Sequence, residues 1–203
     1  FFPFDQEGEV TMISAEWIRI LIVEDDEDFG FLIRSTLQKN PDMKVIGTAQ
    51  TRAQAVEMAC RIQPDIVLMD LCLDKVQMDG IEAARTIRLQ TNAKIIILTS
   101  YEDEDTINTA CRESFASGYI FKSQFSLLTE TIRMTAAGRT PQEALIQSLI
   151  LADLTSSEKA VFQSLMGKEI KLLSSPKTIA NQKTALLQKL GLKNVKELLH
   201  IFR

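Results

Sequence analysis

Residues 18–26 read IRILIVEDD. The run 18–23 is apolar, rich in β-branched residues and short enough for a buried strand, and it breaks abruptly into acids. Downstream, Phe29, Leu32, Ile33 and Leu37 recur at helical spacing until Asn40-Pro41 stops the helix. The same unit then repeats. MKVIGTA (43–49) precedes a helical stretch at 51–62, and DIVLM (65–69) precedes one at 79–90. KIIIL (94–98) precedes 103–113, and GYIF (118–121) precedes 125–137. Strands alternating with helices in this way predict a doubly wound α/β fold: a five-stranded parallel sheet, order 2-1-3-4-5, covered on both faces. Beyond Gly138-Arg139-Thr140-Pro141 the strands cease, and helices are expected at 141–151, 155–166, 168–173, 176–190 and 193–202.

Composition narrows the function classes. The 203 residues are 45% hydrophobic and 25% charged, which predicts packed cores and not disorder. Cys60, Cys72 and Cys111 form no C-x-x-C pair and sit in apolar segments, as reduced thiols of a cytoplasmic protein do. A lone histidine, His200, excludes a His-built metal centre or a triad with two histidines. No apolar run approaches the roughly 18 residues of a membrane span. Residues 1–16 read as leader or appended residues, with Met12 a candidate start. Charge is divided unevenly. Residues 1–150 hold 14 Lys and Arg against 23 Asp and Glu, a net of −9, whereas residues 151–203 hold 9 against 4, a net of +5. An acidic body with a basic tail suggests two tasks, and a polyanion as a partner of the tail.

Ligand sites of open α/β sheets lie beyond the carboxyl ends of the strands. Here those ends carry Glu24-Asp25, Asp70, Thr99-Ser100 and Lys122. In the predicted order Asp25 and Asp70 face each other across the switch point. Clustered carboxylates repel unless a cation lies between them, and oxygen-only ligands favour Mg²⁺ over zinc. A hydroxyl and an ammonium beside them suit a phosphoryl group. Taken singly, acids at a helix start, a Thr or Ser cap and one surface lysine need no function.

The motifs ILIVEDD (20–26), PDIVLMD (64–70), DGIEAARTIR (79–88), IIILTS (95–100) and SGYIFK (117–122) run through this body in order. With them, residues 17–138 resemble the receiver domain of two-component response regulators, a flavodoxin/CheY-like fold. The resemblance implies that Asp70 is the phosphoacceptor and that Glu24, Asp25, Asp70 and the backbone carbonyl of Cys72 serve Mg²⁺. It further implies that Thr99 and Lys122 contact phosphoryl oxygens and that Tyr119 changes rotamer on activation. The loop LCLDKVQMDG after Asp70 is about two residues longer than the family's usual loop, and Phe115 stands where glycine is frequent.

Residues 154–203, joined by a helical linker at 139–153, resemble the small all-α helix-turn-helix domain of LuxR/NarL-type regulators. LTSSEKAVFQSL matches its opening helix, GKEIKLL its second, and KTIANQKTALLQKLGLKN its recognition helix and following turn. The stretch between Val161 and Lys177 is about six residues short of the usual motif. Periodicity places Ile179, Leu186, Leu187 and Leu190 on one face of the third segment. Lys177, Asn181, Thr184 and Gln188 share the opposite face, and with Thr178 they are the expected DNA contacts. Val195, Leu198, Leu199 and Phe202 form a further apolar stripe, shared between closing the domain and pairing two copies.

The combined expectation is a non-enzymatic, cytoplasmic transcription regulator. A sensor histidine kinase phosphorylates Asp70; the protein then forms a homodimer and binds duplex DNA. The main rival is an output that binds protein or RNA in place of duplex DNA. A phosphohydrolase is a second rival, but its second acid, Asp74, lies four residues past Asp70.

Overall fold

The computed structural model describes residues 17–73, 78–172 and 174–203. The leader assigned to 1–16, Asp74 and the middle of its loop, and Leu173 lie outside the described residues. The first part of the chain alternates β1 (Ile18–Val23), α1 (Glu27–Leu37), β2 (Met43–Ala49), α2 (Arg52–Ile62), β3 (Ile66–Met69), α3 (Asp79–Gln90), β4 (Lys94–Thr99), α4 (Glu104–Ser114), β5 (Gly118–Phe121) and α5 (Leu128–Ala137). A 3₁₀ turn over Lys122–Leu127 leads into α5. The strands are parallel in the order β2-β1-β3-β4-β5, as the sequence predicts, so the switch point falls between β1 and β3.

Alternation along each strand builds two separate cores. Leu21, Val23, Val67, Met69, Ile95 and Ile97 point to the side covered by α2, α3 and α4. Ile20, Ile22, Ile66, Leu68, Ile96 and Leu98 point to the side covered by α1 and α5, where Ile33, Leu37, Leu128 and Ile132 meet them. Asp26 and Asp103 accept the backbone N–H groups of Phe29 and Thr106 and so start α1 and α4. Thr99 and Ser100 are thereby released from capping.

Four helices follow: α6 (Pro141–Ile150), α7 (Ser156–Leu165), α8 (Pro176–Lys189) and α9 (Val195–Phe202). The helix expected at 168–173 is not there, since residues 168–172 are non-helical. Local signals explain this. Gly167, at φ +89°, closes α7 with Gly167 N–H on Ser164 O and Lys168 N–H on Gln163 O, a paired C-terminal stop. Ser175, with Pro176 behind it, then starts α8 by accepting Thr178 N–H. The short stretch left between stop and start cannot repay helix nucleation.

The helical tail shares the α3-side core with the sheet domain. Arg85 donates to Glu113 O, Leu190 O and Gly191 O at 2.9, 3.0 and 2.7 Å. The buried Arg88 guanidinium donates to Ala93 O and Ile201 O. His200 Nε2 lies 3.0 and 2.9 Å from Arg88 O and Thr91 O. Both are acceptors, so that nitrogen carries the proton. Leu198, Leu199 and Phe202 of the α9 stripe are engaged inside this same core. Helix α6 packs on α4 and β5, with Ile146 and Ile150 buried and Gln142 Nε2 donating to Tyr119 O at 2.9 Å.

Candidate functional site

Sheet register sets the first acids in place. Val23 pairs with Met69, and Met69 with Ile97, so the residues after β1 and β3 emerge side by side. Asp70 N–H donates to Val23 O at 3.0 Å and Glu24 N–H to Ala49 O at 3.0 Å, extending the sheet one residue beyond each strand. Glu24 and Asp70 are buried, with 5% and 6% of their surface exposed, and Asp25 is half-buried. One carboxylate oxygen from each of the three lies within 4.8 Å of the others.

Lys122, released at the end of β5, crosses to this cluster. Its Nζ lies 2.8 Å from Asp70 Oδ2 and 2.8 Å from Glu24 Oε2. It also sits 4.5 Å from the centre of the Phe29 ring, which is braced edge-on by Phe125. Burial opposes the lysine's charge, but the hydrogen bonds to Asp70 and Glu24 outweigh it and hold its pKa above the ordinary value. One ammonium does not neutralise three acids. Burial, reinforced by the field of Asp70, pushes the Glu24 carboxyl up to about 7 against the pull of Lys122. Three hard oxygen donors left with excess negative charge fit a Mg²⁺ ion.

The two oxygens of Asp70 are unlike. Oδ1 accepts Leu71 N–H at 2.7 Å and faces Cys72 N–H at 3.5 Å, whereas Oδ2 faces Lys122. Cys72 is half-buried beside the acids, and burial followed by the Asp70 charge pushes its thiol pKa up. Thr99 is 1% exposed at the end of β4, where its hydroxyl oxygen faces Tyr101 N–H at 3.5 Å. Tyr119 is half-buried and donates its hydroxyl to Tyr101 O at 3.0 Å, while burial raises its pKa. Glu24, Asp25, Asp70 and Lys122 are thus brought together with Cys72 beside them, while Thr99 and Tyr119 both meet Tyr101.

Two residues near the acids carried no functional reading in sequence. Phe29 read only as part of the α1 stripe. Gly80 lies so close to the β3 loop that a Cβ there would stand 2.0 Å from Asp70 O. The Asp79-Gly80 pair at the head of a helix was the available signal.

The second expected site is on α8. Lys177, Thr178, Asn181, Thr184 and Gln188 are all exposed. Thr178 Oγ1 is 2.9 Å from Ser175 Oγ, and Thr184 Oγ1 donates back to Ala180 O at 3.1 Å, so both hydroxyls are partly committed within the helix. Gln188 borders a cleft against α3 and α4.

The pattern of the response regulator receiver domain matches residues 20–133. The transcriptional regulatory protein LiaR of Bacillus subtilis (strain 168) is 34% identical over 160 residues, which cover 77% of this chain and 74% of LiaR. A solved LuxR-family two-component response regulator from Aurantimonas sp. SI85-9A1 is 29% identical, covers 68% of this chain and 98% of its own, and superposes with a TM-score of 0.55. RcsB from Salmonella enterica serovar Typhimurium, solved bound to promoter rprA with phosphomimetic BeF3-, is 20% identical. It covers 92% of this chain and 98% of its own at a TM-score of 0.55, a likeness of fold that reaches into the tail.

Proposed function

The chain belongs to the response regulators of two-component systems, and from that premise we propose that Asp70 takes a phosphoryl group from a sensor histidine kinase and thereby controls a DNA-binding tail. The observation that carries this is the meeting of Asp70, Glu24, Asp25 and Lys122 at the carboxyl edge of the sheet. Oδ1 of Asp70 is committed to backbone N–H groups, so Oδ2 is the attacking oxygen. The Oδ2–P bond forms as the bond from phosphorus to the kinase histidine nitrogen breaks, and the proton the histidine needs comes from solvent. Mg²⁺, held by Glu24, Asp25, Asp70 and the Cys72 carbonyl, supplies charge neutralisation to the transferred group when bound. Lys122 keeps its ammonium and follows a phosphoryl oxygen, and the Thr99 hydroxyl donates to another.

The route outward starts at Tyr101, whose carbonyl accepts the Tyr119 hydroxyl. Tyr119 is in turn held by Gln142 of α6. A shift of Thr99 toward the phosphoryl group disturbs Tyr101, then Tyr119, then the seat of α6. On this reading residues 17–138 are the receiver, 139–153 the linker and 154–203 the output domain. The output face is Lys177, Thr178, Asn181, Thr184 and Gln188, and phosphorylated copies pair to place two such faces on duplex DNA. No described helix is long and apolar enough to cross a membrane, and a kinase-fed regulator of transcription works in the cytoplasm.

One observation favours a second reading of the tail. The non-helical stretch 168–172 stands where a helix-turn-helix places its first helix. An output that meets protein or RNA in place of duplex DNA agrees with that loss. The phosphorylation proposal is tested by treating wild type and Asp70→Asn with acetyl phosphate and Mg²⁺ and measuring intact mass. A single phosphoryl adduct in wild type alone is expected. An equal adduct in Asp70→Asn would overturn the assignment.

A further inference from the structure

A second concavity lies away from the acids, between α6, α7 and α9. Its volume is about 400 Å³, within the usual range for small-ligand sites. Leu151, Phe162, Met166 and Phe202 form an apolar floor, and the Phe162 and Phe202 rings meet edge to face at 5.2 Å. Arg139, Lys159 and Lys168 stand around it, and no carboxylate lines it. Lys159 and Lys168 belong to the basic tail, residues 151–203, whose net charge is +5.

What distinguishes the cavity is that its cations are available. The larger cleft between α3, α4 and α8 is also cationic, with Arg52, Arg85, Arg112 and Lys189. There every cation is committed: Arg52 to Glu82, Arg112 to Asp153, Lys189 to Glu158, and Arg85 to three carbonyls. In the smaller cavity Arg139 holds only Gln147 Oε1, at 2.6 Å. The ammonium groups of Lys159 and Lys168 have no acid or acceptor among the described residues. Unpaired ammonium groups above an apolar floor call for a ligand with an anionic end and an apolar body.

We propose that this cavity binds a small amphipathic organic anion: a carboxylate, sulfonate or phosphate carried on an aromatic ring or a short alkyl chain. The body lies on Phe162, Met166 and Phe202, and the anion sits between Lys159 and Lys168, with Arg139 closing the far side. Because α6 forms one wall and α7 and α9 the other, an occupant holds the tail against the linker helix. A ligand there reaches the output domain by a route independent of Asp70.

The test uses the full chain with 1-anilinonaphthalene-8-sulfonate as the anionic probe and N-phenyl-1-naphthylamine as its uncharged counterpart, both read by fluorescence titration. One saturable site is expected for the sulfonate. The exposed pair Lys159→Glu and Lys168→Glu, made together, should weaken the sulfonate by about ten-fold or more and the neutral probe by less than about two-fold. Ser148→Trp, placed from the exposed side of α6 to plug the mouth, should remove both probes. Unchanged sulfonate affinity in the double variant overturns the proposal. So does undiminished binding of both probes in Ser148→Trp, since the floor would then lie elsewhere.

Discussion

Alanine in place of glycine at two positions, Gly30 and Gly80, should move stability in opposite directions. Both glycines lie in helices, α1 and α3, where alanine has an intrinsic advantage of about 1 kcal/mol. At Gly30 an added Cβ meets only Glu24 Cγ, at 3.8 Å, an ordinary contact. Gly30→Ala should therefore stabilise the protein by about 0.5–1 kcal/mol. At Gly80 the same atom would stand 2.0 Å from Asp70 O, 2.8 Å from Leu71 Cα and 2.9 Å from the Asp70 carbonyl carbon. Carbon and oxygen tolerate no less than about 3.3 Å, so α3 or the Asp70 peptide must retreat by more than about 1 Å. The neighbours are backbone and cannot rotate away. Overpacking of this kind costs about 1–3 kcal/mol or more. The helix advantage is also smaller at Gly80, which lies in the first turn. The clash wins, and Gly80→Ala should be destabilised by about 1–3 kcal/mol. It should also take up phosphoryl groups from acetyl phosphate more slowly, because the displaced peptide is that of Asp70, the proposed acceptor. Urea unfolding followed by circular dichroism measures the first effect, and a time course of intact mass measures the second. A Gly80→Ala protein as stable as wild type would refute the close-approach argument.

Three further outcomes are expected. In chelator-treated buffer, Glu24→Gln should gain on wild type by about 2 kcal/mol between about pH 5 and about pH 8. The folded pKa of Glu24, about 7, lies above the ordinary 4.5. The carboxyl's favourable share is thus whole below 4.5 and is lost as pH rises through 7, so a flat difference across the window would contradict burial as the cause. Lys122→Ala should still accept some phosphoryl group but lose the size-exclusion shift expected of wild type with beryllofluoride; identical elution of the two proteins would remove Lys122 from the switch. Asn181→Ala should reduce preference for the protein's own upstream DNA more than general DNA affinity in fluorescence anisotropy, and log K should fall with log salt at about −0.9 per phosphate neutralised. Equal weak binding to specific and scrambled duplex in the activated state would favour the protein- or RNA-binding tail.

The parts of this molecule that sequence disclosed are those governed by short-range rules. Short apolar runs and helical spacing marked the strands and helices in their order, and the strand ends then placed Glu24, Asp25, Asp70 and Lys122 in one pocket. The missing helix at 168–173 shows where one short-range rule yields to another. Ile170 and Leu173 are three positions apart, a helical spacing, yet Gly167 on one side and Ser175-Pro176 on the other leave too few residues for it to count. The seat of the tail was not legible, because it depends on partners about a hundred positions apart: Arg85 with Leu190 and Gly191, and Arg88 with Ile201 and His200. Those partners change the mechanism that the fold suggests. They fix the end of α8 and the last turn of α9 on α3, while Lys177, Thr178, Asn181, Thr184 and Gln188 remain exposed. Uncovering the polar face of α8 therefore has nothing to uncover. On the proposed reading, control acts on how that face is presented, and α6 is placed to exert it, since it packs on α4 and β5 and holds Tyr119 O through Gln142.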